Sequence, residues 1–192
     1  MKSIVYLQKI GELDLAILLK LKKNLQWALK EFSLSVKILE SEIPLEDSSY
    51  NQVRHQYDAS LVLRKIKNYV KEKQYFRVLG VMDKDLYSGF LNFVFGIALK
   101  PIRVDLKVSS VAVISITRLR ESFYRRSDNN SLFELRVLKE AIHELGHTFG
   151  LEHCNNFCIM QFSNSLADTD EKPSQFCDIC SKRLLKFVRK LK

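Results

Sequence analysis

Glycine and proline are scarce, at six and three in 192 residues, which excludes a collagen-like chain and leaves no room for a long disordered tract. No apolar run approaches the roughly 20 residues of a membrane span. The N-terminal MKSIVYLQKIGEL ends its apolar run at Leu7, short of a signal-peptide core, so a cytoplasmic location is expected. Cysteine is missing before Cys154, and only His55 precedes His143 among the histidines. The net charge of +9 is not gathered in one place, because lysine and arginine are spread along the chain among acidic residues. That pattern describes a solvated surface better than a nucleic-acid footprint.

What is present is a globular composition, 46% hydrophobic and 28% charged, in a chain long enough for one core and too short for two ordinary domains. Residues 3–8 read as a strand, and a helix follows over about 13–32 with Leu15, Leu18, Leu25, Ala28, Leu29 and Phe32 at helical spacing. A second strand fits 34–39, and Pro44 with the EDSS cluster marks a loop to about Gln56. A helix over 59–71 turns Leu61, Leu63, Ile66 and Val70 inward, and a strand over 76–82 ends in the acidic turn Asp83, Lys84, Asp85. The alternation argues a largely parallel sheet. Strands at 91–99, interrupted by Gly96, and at 111–117 leave no room for a helix between them, so at least one runs antiparallel or at an edge. Such an edge can take an extended peptide by main-chain hydrogen bonds, which makes Phe93, Val94, Phe95, Gly96, Ile97 and Ala98 candidate substrate-binding residues. Ser131 and Glu134 form a capping box opening the next helix. The tail SKRLLKFVRKLK reads as a final amphipathic helix with Leu184, Phe187, Val188 and Leu191 on its docking side.

Nearly all the chemistry lies in residues 143–180, HELGHTFGLEHCNNFCIMQFSNSLADTDEKPSQFCDIC. His143 and His147 are four apart on a helix, so both imidazoles leave one face at a separation that suits one zinc ion. Their face is distinct from an apolar seam of Leu135, Leu138, Ile142, Leu145 and Phe149. Gly150 allows a left-handed stop, after which His153 returns as third ligand and a fourth position stays open. Glu144 is free of the ligand set and placed for general acid/base work. Average residue usage yields HExxHxxGxxH in a chain this long on the order of 10⁻⁵ of the time. Cys154, Cys158, Cys177 and Cys180 form two close pairs that suit a closed, structural zinc, giving two zinc ions per chain. Gly146, inside the active helix, implies close packing.

The run HELGHTFGLEHC, then CIM, then FCDIC, closely resembles the archaemetzincins, a family of metzincin zinc metallopeptidases. The resemblance implies a compact metzincin-like α/β domain with a mixed, twisted sheet, one antiparallel edge strand and an active-site helix. It implies one domain over 1–192, with an α/β part to about 150 and a small zinc-stapled helical part over about 151–192. It also implies peptide or protein substrates and a methionine turn at Met160 below the catalytic zinc; a monomer is expected. Phe162 stands where some metzincins place a tyrosine two residues after that methionine. The alternative is a non-catalytic zinc protein that binds peptide or nucleic acid; an intact Glu144 argues against it.

Overall fold

The computed structural model describes residues 4–71, 73, 75–100 and 109–190. Its strands are β1 (Ile4–Lys9), β2 (Ser35–Ile38), β3 (Tyr50–Asn51), β4 (Gln56–Asp58), β5 (Arg77–Met82), β6 (Leu86–Tyr87), β7 (Gly96–Ala98) and β8 (Ser110–Ser115). Its helices are α1 (Leu15–Ala28), α2 (Ala59–Val70), α3 (Asn130–Thr148), α4 (Leu166–Glu171) and α5 (Asp178–Arg189). Five strands make one sheet in the order β2-β1-β5-β8-β7, parallel except for β7, which pairs antiparallel with β8 at one edge. This is the mixed sheet with an antiparallel edge that the strand and helix pattern predicts.

The central strands β5 and β8 are buried along their whole length. Both faces need cover, and the apolar side chains alternate accordingly. Leu79, Val81, Ala112 and Ile114 meet α1 and α3 through Leu18, Leu25, Ala141 and Leu145. Val78, Met82, Val111 and Val113 meet α2 through Val62, Leu63 and Ile66. The helix α3 is therefore a central element, and every residue from Val137 to Thr148 except Leu138 is buried. Leu184, Phe187 and Val188 dock α5 on the same core, as expected of the tail; Leu191 lies outside the described residues.

Several local expectations change. The helix carrying the histidines does not open on a Ser131–Glu134 box: Asn129 is the cap, its side chain accepting from the Leu132 amide at 3.0 Å. Asparagine is as good a cap as serine, so the earlier start prevails, and Glu134 pairs instead with Lys20 of α1. A capping box does occur at Ser165 and Asp168, opening α4. Leu135 is 39% exposed, so it does not belong to the seam, which centres on Val137, Ala141 and Leu145. Two residues, about 200° of helical rotation, separate Leu135 from Val137. Leu15 is exposed as well, lying at the first position of α1 just after the Asp14 cap.

The strand expected over 91–99 is shorter, and Gly96 begins it instead of interrupting it. The cause is competition for carbonyls. Arg54 donates to the Leu91 carbonyl at 2.8 Å and Gln56 to that of Asn92 at 2.9 Å, which removes both from any ladder. The segment read as a loop to Gln56 contains β3 and leads into β4, and both join β6 in a second, three-stranded sheet. Asp83 and Asp85 are more than a turn. Asp85 receives a two-pronged contact from Arg118 at 2.7 and 2.8 Å, and Asp83 accepts from Arg120 at 2.7 Å, tying the end of β5 to the segment after β8.

A β-carbon placed on Gly146 would stand 2.4 Å from Met160 Sδ. Gly146→Ala should therefore lower unfolding free energy by about 1 kcal/mol, because overpacking costs about 1–3 kcal/mol, on the order of 2 kcal/mol, against the roughly 1 kcal/mol gained in helix propensity. Denaturant unfolding measures this, and a variant as stable as wild type would show that Met160 yields freely.

Candidate active site

One face of α3 presents His143 and His147 one turn apart, with ring centroids 4.7 Å from each other. The Nδ1 of His143 lies 3.0 Å from the Ile159 carbonyl, and that of His147 lies 2.8 Å from the Leu151 carbonyl. A carbonyl only accepts, so both rings carry their proton on Nδ1. Burial lowers the pKa of His143 well below the usual histidine value and that of His147 to about 4, so both rings are neutral. Their Nε2 atoms, 3.1 Å apart, then face each other as bare lone pairs. That arrangement is repulsive without a cation between them. Tetrahedral Zn–N bonds of roughly 2.0–2.1 Å would set two nitrogens about 3.3 Å apart, close to what is seen.

Gly150, at φ 81°, turns the chain after α3 and returns His153 to the same place. Its ring centroid is 5.3 Å from that of His143 and 4.8 Å from that of His147, and one nitrogen of each of the three rings lies within 4.8 Å of the others. His153 is the exposed member of the three. Phe162 packs edge-on against it at 5.1 Å. Met160 is fully buried against Gly146, between the two histidines along α3. The donor set and its tautomers fit a zinc ion.

The three histidines line a cavity of about 250 Å³ together with Glu144 and residues 93–98 of the edge segment. All six edge residues expected to meet a substrate are thus beside the histidines. Gly96 matters sterically, since a β-carbon there would stand 2.7 Å from Glu144 Cγ. Burial holds the Glu144 carboxyl well above the usual carboxylate range, the neighbouring Glu140 adds repulsion, and Lys172 and Lys100 act in the opposite sense.

Cys154, Cys158, Cys177 and Cys180 gather so that all four sulfurs lie within 4.8 Å of one another, with Cys154 and Cys177 at 3.8 Å. A disulfide needs about 2.05 Å, whereas two sulfurs on a tetrahedral zinc at about 2.3 Å stand about 3.8 Å apart. The amides of Met160 and Cys177 donate to Cys158 Sγ at 3.5 and 3.3 Å, contacts that favour a thiolate. Cys177, at the start of α5, has its pKa lowered to about 6, the Cys180 backbone amide being the largest cause. Burial raises Cys158 and Cys180, and a cation among the sulfurs would offset that by favouring the thiolates.

His55 stays apart, exposed in the turn between β3 and β4 and 3.3 Å from the Tyr50 hydroxyl. The structure adds Glu140 and Lys172, a buried pair at 2.8 Å that lines the same cavity, and Lys100, which reaches it from beyond β7. Glu140 was findable, since it lies one turn before Glu144 on the same helix face. No local spacing announces either lysine.

The model of Peptidase family M54 matches residues 3–186. The archaemetzincin of Pyrococcus furiosus is 38% identical over 187 residues, 96% of this chain and 93% of that one. Among solved structures, the archaemetzincin of Archaeoglobus fulgidus is 34% identical with a TM-score of 0.75, and covers 94% of this chain and 99% of its own. A zinc-dependent peptidase from Methanocorpusculum labreanum, at 30% identity and a TM-score of 0.79, has the same coverage. Among the described residues no helix is long and apolar enough to cross a membrane. A family match over nearly the whole chain, joined to a set of three histidines that fits zinc, leads to one conclusion: the chain belongs to peptidase family M54, the archaemetzincins, and is by class a zinc metallopeptidase.

Proposed function

We propose that the chain hydrolyses peptide bonds, with His143, His147 and His153 holding a catalytic zinc and Glu144 acting as general base and then general acid. The observation that carries this reading is the pair of unprotonated Nε2 atoms at 3.1 Å, buried beside a carboxylate that takes no part in the ligand set. Zinc in this position supplies Lewis acidity, polarising a carbonyl oxygen and lowering the pKa of water toward about 7. The residues of the chain do the rest. The outer edge of β7, which pairs on its other side with β8, binds an extended peptide as an added strand. Glu144 takes a proton from the attacking water and delivers it to the leaving amine nitrogen. The packing of Gly96 on Glu144 Cγ restricts where that carboxylate can swing.

A second zinc, held by the four cysteines, would have a structural role. It closes a coordination shell and leaves no position for substrate. Four free thiols at this spacing suit a reducing compartment such as the cytoplasm.

Glu144→Gln should reduce turnover of a proteome-derived peptide library by about 10²-fold or more while both zinc ions stay bound. Mass spectrometry of the products with metal analysis reads both, and unchanged turnover would remove Glu144 from the reaction. Gly96→Ala should lower kcat by about tenfold or more at constant zinc content, because displacements on the order of 1 Å at reacting groups cost up to about 10²-fold. Wild-type kcat in that variant would mean the edge strand does not constrain Glu144. Metal analysis should give two zinc ions per chain, and Cys177→Ser should lower Tm more than His153→Ala does. The reverse ranking would count against a structural role for the cysteine site.

A further inference from the structure

Among the described residues, two lysines line the cleft, and their surroundings differ sharply. Lys172 is 1% exposed at its side chain and is locked to Glu140, itself 4% exposed. Breaking such a pair leaves an uncompensated buried charge, so Lys172 is not free to serve a ligand. Lys100 follows the last paired residues of the edge strand, with its side chain 48% exposed, and its ammonium contacts Glu152, which is 65% exposed and adjacent to His153. This contact joins the segment after β7, at one end of the cleft, to the loop of the third histidine. An exposed pair is worth only about 0–1 kcal/mol, so it exchanges readily for a carboxylate of equal charge.

We propose that Lys100 is a specificity-determining residue that binds a carboxylate of the substrate at the end of the cleft beyond Ala98, with Glu152 as the built-in competitor that occupies it when no substrate is bound. This rests on the peptidase reading above and adds a substrate class to it: peptides carrying a negative charge at that end. The carboxylate comes from an aspartate or glutamate side chain or from a free C-terminus. The position of Lys100 favours this use over a purely structural one, since it lines the same cavity as Glu144 and the three histidines. A structural bridge at this surface would be screened by solvent and would hold little.

The two partners make opposite predictions, which a bridge that merely braces the loop does not. Peptides identical except for Glu or Gln at single positions, each with a free or an amidated C-terminus, are titrated against zinc-loaded Glu144→Gln protein by fluorescence anisotropy. The acid form should bind about threefold or more tighter, the scale of a partly exposed ion pair, and the difference should shrink as salt rises. Lys100→Gln should erase the difference and Lys100→Glu should invert it, whereas Glu152→Gln should enlarge it by freeing the ammonium. The Glu/Gln arm and the free/amidated arm separate a side-chain carboxylate from a C-terminal one. Equal binding of acid and neutral peptides, or equal effects of Lys100→Gln and Glu152→Gln, would overturn the proposal. Hydrolysis of the same peptides by the wild type is read alongside. If none is cut, the peptidase reading fails, and binding alone still decides whether Lys100 takes a carboxylate.

Discussion

Two neutral imidazoles held with bare nitrogens 3.1 Å apart are the constraint on which the rest of the structure depends. The contact is unfavourable in itself, so other interactions must impose it. The two carbonyls of Leu151 and Ile159 do so by taking the Nδ1 protons, and both belong to the segment after α3, not to the helix that carries the rings. A ring free to exchange tautomers would turn an N–H toward its neighbour and relieve the repulsion. Fixed tautomers make the pocket specific for a cation.

That segment is in turn held by the cysteine cluster. The Ile159 amide donates to Gln175 and the Cys154 amide to Met160, while Cys158 Sγ accepts from Met160 and Cys177. The carbonyl that orients His143 therefore sits in a loop whose ends converge on the four sulfurs. Loss of the proposed structural zinc would release that loop, and with it the tautomer of His143. The adjacency of His153 and Cys154 couples the two sites along the chain, and the Ile159 carbonyl couples them through space.

The histidine and cysteine spacings were legible in the sequence because each is a short-range rule: a helix sets four residues to one face, a left-handed glycine turns the chain, and paired cysteines sit close in a tight loop. The mixed character of the sheet, though not its strand order, was legible for the same reason, from alternation and from the missing crossover between the strands expected at 91–99 and 111–117. What escaped is non-local and polar. The shortening of the edge strand depends on Arg54 and Gln56, about forty residues upstream, reaching the carbonyls of Leu91 and Asn92. The Arg118–Asp85 and Lys172–Glu140 pairs each join residues more than thirty apart. No periodicity encodes such partners, and hydrophobic patterning treats each of these residues as surface. Leu135 failed differently: the heptad spacing from Leu135 to Ile142 is genuine, but the buried stripe of α3 centres on Val137 and Ala141.

The burial of α3 over its C-terminal half explains why so many ionic contacts gather behind the cleft, away from the histidines. A central helix with Arg136, Lys139 and Glu140 in its second and third turns must find a partner for each without help from water. The short helix α4 and the Lys172 that ends it supply a partner for each: Asp170 takes Arg136 at 2.6 Å beside Glu121, the carbonyls of Thr169 and Asp170 take Lys139, and Lys172 takes Glu140. Six residues of helix bury too little area to dock by apolar contact alone, and only Leu166 and Thr169 are buried within it. Electrostatics thus hold α4, and the chain entering it, Phe162 to Asn164, forms one wall of the cleft. The wall keeps its place because three charges on the active helix are satisfied there, so the cleft's shape and the solvation of its central helix are set by the same contacts.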